Sequence, residues 1–400
     1  MLRRESKSER PSDAITRCTL KSRTNLVNVT EREVFQFEFE PAERTQLEDG
    51  DHIAIVPRNS PENVSDILAV FDLTGKENSY VELTTEATDG VERDTIPGFL
   101  RGMYTVGDIL AEHIDLSAPP TYAFIQKVLE LASLDEKDRT HLTKVTSSFD
   151  HFTRWVAEYN PSHIEFFRQF PSVACRLPLS VFLTSAPRIA ARLYSVSSSS
   201  GVDKHITIGV RVEYIRSKRG DENIVRRGLC SDYLLRLKEG DNQVRLYVSP
   251  SHEFHLATDV PIVMIATGTG IAPFRGFWRT FAALADPSKS RVKADAALLY
   301  YGCRNKDEHI YGAEMTATFT DRNLAIAYSR DSSSDVKYVT ELISRDAARL
   351  SEYIETRKAK VYVCGSKQMA ADARERFKAL IGAAKLEHLL KIRKYVEEVF

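Results

Sequence analysis

Residues 261–278, PIVMIATGTGIAPFRGFW, decide the fold of the second half of the chain. A short apolar run, PIVMIA, is followed directly by a turn with two glycines, Gly268 and Gly270. Pro273 suits the first turn of a helix, because its ring fixes φ near the helical value and the missing N–H is not needed there. The stretch therefore predicts a buried strand, a tight turn and a helix, with the turn suited to bind an anionic group.

Three further apolar runs continue this pattern towards the C-terminus. They are AALLYYG at 296–302, LAIAYS at 324–329 and KVYVCG at 360–365, and each is followed by a stretch with helical periodicity. Strands that are apolar on both faces and that alternate with helices are typical of a doubly wound parallel sheet. Ligands of such sheets bind outside the carboxyl ends of the strands, so the residues at those ends are candidate site residues.

The first half of the chain has a different texture. Strands with alternating apolar and polar residues are expected around 35–39, 52–57, 206–212 and 244–248, which predicts a small antiparallel barrel. Between residues 59 and about 173 the apolar spacing is helical, and strands are expected again from about Leu177. The barrel is therefore predicted to be split by a helical insertion.

Composition excludes several functional classes. The 400 residues contain 55 Lys and Arg against 56 Asp and Glu, so the net charge of −1 offers no electrostatic surface for nucleic acid. Five scattered cysteines without a CxxC pair predict a reducing compartment, no disulfide framework and no metal site. No apolar run is long enough for a signal peptide core or a membrane span, so we expect a cytoplasmic protein.

Two motifs in the first half carry candidate chemistry. Arg192, Tyr194 and Ser195 precede VSSSS and supply a cation, an aromatic ring and a hydroxyl, which is what a flavin requires; a serine-rich linker is the alternative. Residues 228–231, GLCS, begin a helix with a glycine and a small hydroxyl residue, an arrangement that exposes backbone N–H groups to a pyrophosphate. An ordinary capped helix would have the same sequence.

Three further signals lie in the second half. Ser329 and Arg330 follow a predicted strand, and Lys337 and Tyr338 come shortly after, so a hydroxyl, two cations and an aromatic ring could bind an adenosine 2′-phosphate. A solvated polar loop is the alternative. Cys364 lies at another strand end, and Phe400 follows Glu397-Glu398 at the C-terminus; taken alone, these would be a core cysteine and a packed aromatic.

The order of these signals resembles that of one family. From about Thr16 to Phe400 the chain resembles the ferredoxin-NADP⁺ reductase-like module of the diflavin reductases, above all the nitric oxide synthase reductase region, and also cytochrome P450 reductase and methionine synthase reductase. RLYSVSSSS resembles the flavin motif of that family, and GLCS its pyrophosphate motif. ATGTGIAPFRGFW, LLYYGCRNKDEHIYGAEM and VYVCGSKQMA are similar to its nicotinamide-domain motifs.

The resemblance implies a role for each matching residue. FAD would be held by Arg192, Tyr194 and Ser195, with Gly228, Leu229, Cys230 and Ser231 on its pyrophosphate. NADPH would be held by Arg32, Thr269, Arg304, Ser329, Arg330, Lys337 and Tyr338. Ser195, Cys364 and Glu398 match the hydride-transfer cluster of the family, and Phe400 matches the aromatic residue that covers the flavin.

The same resemblance implies the domain organisation and the function. It implies an α/β plus β chain with a flexible leader at 1–14, an FAD-binding barrel at 15–58 and 177–255, an inserted helical connecting domain at 59–176, and an NADP(H)-binding domain at 256–400. It further implies that NADPH reduces FAD and that electrons pass to a separate acceptor, namely an FMN domain, a flavodoxin or a haem protein. We expect no FMN domain in the few residues before Thr16.

Three positions depart from the pattern of the family. Ser366 follows Cys364-Gly365 where the family usually has Asp, Glu398 replaces a usual Asp, and Thr340 replaces a usual Gln. Ser366 and the expected lack of an FMN domain leave open a catalytically degenerate NADP(H)-binding or scaffolding module. A fragment of a longer diflavin reductase fits the same facts.

Overall fold

The computed structural model describes residues 15–29, 32–43, 45–81, 102–219, 222–285 and 296–400. The predicted leader at 1–14 lies outside the described residues. Contacts divide the chain into two compact units, which we treat separately. The first unit contains residues 1–55, 193–212 and 238–400, and the second contains residues 56–192 and 213–237.

The strands and helices of the described residues are numbered in chain order. The strands are β1 (Thr16–Val29), β2 (Arg32–Pro41), β3 (His52–Val56), β4 (Tyr80–Val81), β5 (Tyr104–Thr105), β6 (Arg192–Ser195), β7 (Ile206–Arg211), β8 (Tyr214–Arg219), β9 (Glu222–Arg227), β10 (Val244–Ser249), β11 (Ile262–Thr267), β12 (Ala297–Cys303), β13 (Leu324–Tyr328), β14 (Lys360–Gly365) and β15 (Tyr395–Val399). The helices are α1 (Pro61–Val70), α2 (Val106–Glu112), α3 (Tyr122–Leu131), α4 (Glu136–Val145), α5 (Phe149–Tyr159), α6 (His163–Gln169), α7 (Pro171–Arg176), α8 (Leu179–Ser185), α9 (Leu229–Arg236), α10 (Ala272–Ala285), α11 (Gly312–Thr318), α12 (Val339–Arg345), α13 (Ala347–Glu355), α14 (Lys367–Ile381) and α15 (Ala383–Lys391).

The C-terminal half of the first unit is a five-stranded parallel sheet. Its strand order is β13-β12-β11-β14-β15, and every neighbouring pair is parallel. The chain moves outwards in one direction from β11 and then crosses to the other side with β14, so the order reverses between these two strands. The predicted doubly wound parallel sheet is confirmed, and its switch point is where ligands of such sheets bind.

The apolar character of β11 follows from its burial on both faces. Ile262 and Met264 point into one core, to which α10 and α11 contribute, whereas Val263 and Ile265 point into a second core, to which α12–α15 contribute. Because successive side chains of a strand alternate between faces, a strand covered by helices on both sides has no polar position to spare. This is why PIVMIA reads as a continuous apolar run.

The other sheet of the first unit is antiparallel where its register is defined, with the order β6-β3-β10-β1-β2-β7. Its two edge strands approach each other, because Val196, directly after β6, forms a single antiparallel bridge with Ile208 of β7. A closed barrel remains a prediction, because a single bridge does not make a continuous ladder of hydrogen bonds between the two edge strands.

The β1–β2 hairpin packs into the core that it shares with the parallel sheet. Val27 of β1 and Val34 of β2 are buried in the same cluster as Phe274 and Trp278 of α10. The two sheets of the first unit therefore share apolar surface.

The second unit is mainly helical, and its core is built by α1–α8. Thr105, Thr121 and Ser148 are N-cap residues whose hydroxyl groups accept backbone N–H bonds in the first turns of α2, α3 and α5. The expectation of strands from about Leu177 is wrong. Residues 179–185 form α8, because Phe182 and Leu183 pack into the helical core, and the next strand begins at Arg192.

The β8–β9 hairpin and α9 belong to this second unit and are held by a buried ionic network. Glu165 lies at its centre: it completes a capping box with Ser162, accepts a hydrogen bond of 2.9 Å from Ser217 of β8, and pairs with Arg226 of β9 at 3.3 Å. The predicted domain boundaries are not tested by this division and stay a prediction. Within the described parts of the chain, no helix is both long and apolar enough to cross a membrane.

Candidate functional site

The glycine-rich turn after β11 approaches the end of β14 closely. A Cβ atom on Gly270 would lie 2.3 Å from the carbonyl oxygen of Cys364, closer than real Cβ contacts allow. Gly268 adopts a φ of +55°, in the left-handed region that favours glycine. The two glycines therefore have different purposes: Gly270 permits the contact between the two strand ends, and Gly268 permits the turn.

Cys364 lies at the end of β14 and is fully buried. It is paired in register with Glu398 of β15, so the two residues are neighbours across the parallel ladder. Burial, followed by the negative charge of Glu398, holds the pKa of the Cys364 thiol well above its ordinary value. The thiol is therefore protonated at neutral pH and can donate a weak hydrogen bond.

Glu398 is held by two side chains from the antiparallel sheet. Its Oε1 atom accepts a hydrogen bond of 2.6 Å from the hydroxyl group of Ser195, and the same oxygen contacts Nε2 of His52. Its Oε2 atom is buried and has no hydrogen-bond partner among the described residues. A buried carboxylate oxygen without a partner is costly, so this orphaned atom marks a position where the described contacts leave Glu398 incompletely satisfied.

His52 is the partner that the sequence did not reveal. Burial alone would lower its pKa, but the hydrogen bond with Glu398 and the negative charge of Glu398 outweigh burial, and Asp51 adds to them, so that the pKa of His52 is raised above 6.5. The Ser195–Glu398–His52 group therefore combines a hydroxyl, a carboxylate and an imidazole that gains a proton easily.

A cleft of about 260 Å³ opens at the carboxyl ends of β11 and β12. Its lining contains four cationic side chains and one carboxylate: Arg32, Arg211, Arg304, Lys337 and Glu308. Thr267, Gly268 and Thr269 line the cleft from the glycine-rich turn, and Ser329, Tyr338, Ser366 and Phe400 line it from other strand ends. This excess of positive charge over a glycine-rich turn is suited to an anionic ligand.

The arginines of the cleft destabilise one another. Burial lowers the pKa of Arg32, the nearby Glu308 opposes this, and Arg211 and Arg330 lower it further. Burial, Arg32 and Arg330 likewise lower the pKa of Arg304, whereas Glu308 raises it. The salt bridge between Nε of Arg32 and Oε2 of Glu308, at 2.6 Å, compensates only one of these cations. Bound phosphate groups would relieve the remaining repulsion.

The predicted 2′-phosphate residues come together at the end of β13. The backbone N–H of Ser329 donates to the carbonyl of Cys303 at 2.9 Å, and that of Arg330 donates to the carbonyl of Arg304 at 2.7 Å. The ammonium group of Lys337 contacts the carbonyl oxygen of Asp331, while the ring of Tyr338 is 61% exposed. The arrangement leaves the guanidinium of Arg330 exposed to solvent.

Thr269 and Phe400 line the same cleft, although 131 positions separate them in the chain. The backbone N–H of Phe400 donates to the carbonyl of Gly365 at 3.2 Å, and the Phe400 ring is 64% exposed. The aromatic ring therefore lies at the end of the parallel sheet without being packed in a core.

The serine run after Tyr194 and Ser195 is not a linker. Ser197, Ser198 and Ser199 are buried, and the Ser198 hydroxyl accepts the backbone N–H of Thr207 at 3.0 Å. A Cβ atom on Gly276 of α10 would lie 2.7 Å from the carbonyl oxygen of Ser198, so the helix packs directly on this loop. The loop fixes the end of β6, which carries Tyr194 and Ser195.

The remaining predicted FAD residues belong to the second unit. Gly228 is the N-cap of α9, where no side chain caps the helix, and a Cβ atom there would lie 2.5 Å from Oε2 of Glu213. Leu229, Cys230 and Ser231 form the first turn, whose N–H groups lack helical partners. Arg192 lies 3.9 Å from Asp115, and burial chiefly raises the pKa of that carboxyl group.

Three site residues were missed by the sequence reasoning: His52, Arg211 and Glu308. His52 begins the strand HIAIV, and its partner Glu398 is 346 positions away, so no local spacing connects them. Arg211 ends the alternating strand β7 on an exposed position, which is a weak signal by itself. Glu308 belongs to the quoted stretch LLYYGCRNKDEHIYGAEM, and its burial beside Arg32 could not be foreseen.

Comparison with known proteins agrees with this geometry. Residues 10–233 match the FAD binding domain family, and residues 264–375 match the oxidoreductase NAD-binding domain family. The first match covers more than half of the chain and includes Tyr194, Ser195 and Gly228.

Several curated proteins are similar over nearly the whole chain. A nitric oxide synthase-like protein of Bombyx mori is 30% identical over 375 residues, which are 91% of this chain and 34% of that protein. The bifunctional cytochrome P450/NADPH–P450 reductase 2 of Bacillus subtilis is 31% identical over 381 residues, 90% of this chain and 34% of that protein. The human inducible nitric oxide synthase is 29% identical over 381 residues, which are 92% of this chain and 32% of that protein. The chain thus spans about a third of the length of these relatives.

Proposed function

The chain belongs to the FAD binding domain family and carries an oxidoreductase NAD-binding domain as well, and from this premise we propose that it passes electrons from NADPH through FAD to a separate one-electron acceptor. It is an FAD- and NADP-binding oxidoreductase module of the diflavin reductase type. The single observation that carries the proposal is the cluster of Ser195, Cys364 and Glu398. Cys364 and Glu398 each lie two residues before a residue that lines the cationic cleft, Ser366 and Phe400 respectively.

When bound, FAD would supply the redox chemistry, namely hydride uptake from NADPH and release of electrons one at a time. The protein aligns the two cofactors and stabilises the charge that moves. Glu398 offers its buried Oε2 atom as an acceptor, Ser195 fixes the orientation of the carboxylate, and Cys364 keeps its proton at neutral pH. We propose that each of these three side chains touches a bound cofactor during hydride transfer.

The residues of the cleft suit NADPH in charge. Arg32, Thr269 and Arg304 are proposed to bind its diphosphate or ribose, because they line one cleft whose cations exceed its carboxylates. Ser329, Arg330, Lys337 and Tyr338 are proposed to bind the adenosine 2′-phosphate end. Phe400 is proposed to cover the flavin, since its ring is exposed at the end of the sheet.

The residues proposed for FAD are supported one group at a time. Tyr194 and Ser195 lie at the end of β6, which the buried serine loop fixes. The uncapped N-terminal turn of α9, from Gly228 to Ser231, suits a pyrophosphate, as does the cation of Arg192.

We further infer the domain organisation: an FAD-binding barrel at 15–58 and 177–255, a connecting helical domain at 59–176 and an NADP(H)-binding domain at 256–400. The bridge between Val196 and Ile208 supports closure of the barrel, and the common core of α1–α8 supports a helical insertion. Since α8 (Leu179–Ser185) shares that core, the helical insertion extends past residue 176 and the strands resume at Arg192.

Ser366 does not favour the alternative of a degenerate, non-catalytic module. It is the N-cap residue of α14, and its hydroxyl accepts the backbone N–H of Met369 at 3.2 Å. Asp and Ser are both strong N-cap residues, so Ser366 in place of the usual Asp preserves this structural role.

The acceptor is proposed by its chemistry: an FMN domain, a flavodoxin or a haem protein. The relatives named as nitric oxide synthases and P450 reductases support this class, and the third of their length that the chain spans also suits a fragment of a longer diflavin enzyme. We place the protein in the cytoplasm, because all five of its cysteines are free thiols.

The deciding experiment is spectroscopic. The purified chain should bind FAD, released by heating and identified by chromatography, and the visible flavin absorbance should bleach when NADPH is added without oxygen. The variant Glu213→Gln should still bind FAD and be bleached by NADPH, because the pyrophosphate is proposed to be bound at Gly228 and not by the neighbouring Glu213 side chain. Recovery of FMN alone, or a flavin that NADPH does not reduce, would refute the proposed function.

A further inference from the structure

Arg211 is one of the cations that line the cleft at the carboxyl ends of β11 and β12, which we call the nucleotide cleft. Neither the sequence pattern nor the family resemblance gives Arg211 a role. It is the last and the one exposed residue of β7, whose other residues are buried or half-buried, and its side chain lines the cleft. No ion pair or hydrogen bond involves its side chain among the described residues. An arginine that lines a cleft without a counter-charge is available to bind an anion.

The register of the antiparallel sheet brings Arg211 close to Arg32. Arg211 of β7 is paired with Val34 of β2, and Arg32 lies two residues before Val34 on the same strand. Residues two apart on a strand point to the same face, so Arg32 and Arg211 are diagonal neighbours on one face of the sheet. Side chains as long as arginine span the roughly 7–8 Å of a diagonal pair.

The charges at this position are not balanced. Glu308 pairs with Arg32 at 2.6 Å, and among the described residues that line the cleft no other side chain carries a carboxylate. Burial is the main reason why the pKa of Arg32 is lowered, and Glu308 opposes it. The positive charge of Arg211 lowers the pKa of Arg32 further. Two guanidinium groups that repel each other across an open cleft are stabilised when an anion binds both.

Arg211 and the predicted 2′-phosphate residues reach the cleft from different sheets: Arg211 lies on β7 of the antiparallel sheet, whereas Ser329, Lys337 and Tyr338 follow β13 of the parallel sheet. Arg330 adds to burial in lowering the pKa values of both Arg32 and Arg304, and the backbone N–H of Arg330 donates to the carbonyl of Arg304. The positive charge of Arg211, which lies on the antiparallel sheet, lowers the pKa of Arg32. After burial, the charges of both Arg211 and Arg330 lower the pKa of Arg32, so Arg32 is close enough to interact with each of them.

We infer that Arg211 and Arg32 form a subsite for the diphosphate of the nicotinamide dinucleotide, separate from the 2′-phosphate subsite at Ser329, Arg330 and Lys337. The inference rests on the proposed use of NADPH. The diphosphate is common to NADPH and NADH, so Arg211 contributes affinity without discriminating between the coenzymes. Discrimination is left to Arg330 and its neighbours.

Two fragments of the coenzyme separate the subsites. ADP-ribose carries the diphosphate and no 2′-phosphate, whereas adenosine 2′-monophosphate carries only the 2′-phosphate. Their dissociation constants are measured by calorimetry on the FAD-loaded full chain and on Arg211→Ala, Arg211→Lys and Arg330→Ala. Arg17→Ala is the matched control, because Arg17 is an exposed arginine of the neighbouring strand β1 that does not line the cleft.

Arg211→Ala should weaken ADP-ribose binding about tenfold, the scale of one charge-assisted hydrogen bond to an exposed cation, and leave adenosine 2′-monophosphate unchanged. Arg330→Ala should do the reverse, and Arg211→Lys should restore part of the loss because it keeps the charge. Arg17→Ala should change neither constant. Melting temperature and FAD content check that the exposed substitutions leave the fold intact.

Loss of adenosine 2′-monophosphate binding in Arg211→Ala, or no change for either fragment, would overturn the inference while leaving the proposed function standing. If the wild-type chain binds NADPH but not ADP-ribose, the diphosphate subsite is likewise refuted. Failure of the wild-type chain to bind NADPH at all would instead refute the proposed function, so the two failures are distinguishable.

Discussion

The hydroxyl group of Ser195 donates a hydrogen bond of 2.6 Å to Oε1 of Glu398, although 203 positions separate the two residues in the chain. Ser195 ends β6 of the antiparallel sheet, and Glu398 belongs to β15 of the parallel sheet. Both residues lie in the first compact unit, so this hydrogen bond joins the two sheets at the point where the proposed hydride transfer takes place.

The charge of Glu398 should be needed for flavin reduction. Glu398→Gln keeps the size of the side chain and removes the negative charge that His52 and Ser195 hold, so we expect NADPH to reduce FAD roughly ten- to hundredfold more slowly. The rate is measured by stopped-flow spectroscopy without oxygen. Glu397→Gln is the control, because Glu397 pairs with Arg374 instead. Equal rates in the wild type and Glu398→Gln would exclude the catalytic role.

The contact between His52 and Glu398 should make stability depend on pH. The pKa of His52 is raised above 6.5 in the folded protein, because the hydrogen bond and charge of Glu398 outweigh the lowering effect of burial. The folded state therefore binds the proton more tightly than the unfolded state. The stabilisation is full below the unfolded pKa of about 6.5 and is lost as pH rises through the raised folded value.

Urea unfolding of the wild type and His52→Gln, followed between about pH 5.5 and 9, tests this. The free energy of unfolding of the variant should fall below that of the wild type at the acidic end, and the gap should narrow as pH rises. His252→Gln, at an exposed histidine, should show no such trend. A gap that is the same at every pH would mean that His52 only packs.

Gly270 should tolerate no side chain. In Gly270→Ala the new Cβ atom would lie 2.3 Å from the carbonyl oxygen of Cys364, and two backbone segments would have to separate. We expect the variant to lose about 2 kcal/mol or more of unfolding free energy and to bind NADPH poorly. Gly201→Ala is the control, since a Cβ atom there meets open space. A Gly270→Ala variant as stable as the wild type would show that the strand ends can move apart.

Phe400 should act on coenzyme preference. If its ring covers the flavin, the nicotinamide must displace it, and the 2′-phosphate contacts of NADPH supply the energy for that displacement. Phe400→Ala should therefore help NADH more than NADPH, raising the NADH/NADPH ratio of kcat/KM roughly tenfold, and it should slow release of NADP⁺. Val399→Ala is the control at the neighbouring exposed residue. An unchanged ratio would show that the ring does not compete with nicotinamide.

Much of the parallel sheet could be predicted because its signal is local. The strand expected at 360–365 is β14 (Lys360–Gly365), and the one expected at 261–266 is β11 (Ile262–Thr267), one residue later. Both strands are buried on both faces, so almost every residue in them is apolar.

The fifth strand escaped prediction for the opposite reason. The strand Tyr395–Val399 lies at an edge of the sheet, and its second half is only half-buried or exposed. It therefore contains two charged residues, Glu397 and Glu398, and lacks the continuous apolar run that marks the central strands. Its pairing with β14 and the contacts of Glu398 with Ser195 and His52 join distant parts of the chain. Such contacts depend on the packing of the two sheets, which no local periodicity encodes.

The shared core of the first unit limits how freely this protein could be rebuilt by exchanging parts. Val27 and Val34 of the β1–β2 hairpin fill the same cluster as Phe274 and Trp278 of α10, and Arg32 of that hairpin enters the nucleotide cleft. A chimera that joined residues 256–400 to the antiparallel sheet of another protein would have to match both the apolar shape and the cation. The antiparallel sheet and the parallel sheet therefore form one unit of exchange, and we expect a stable chimera to require both from the same protein.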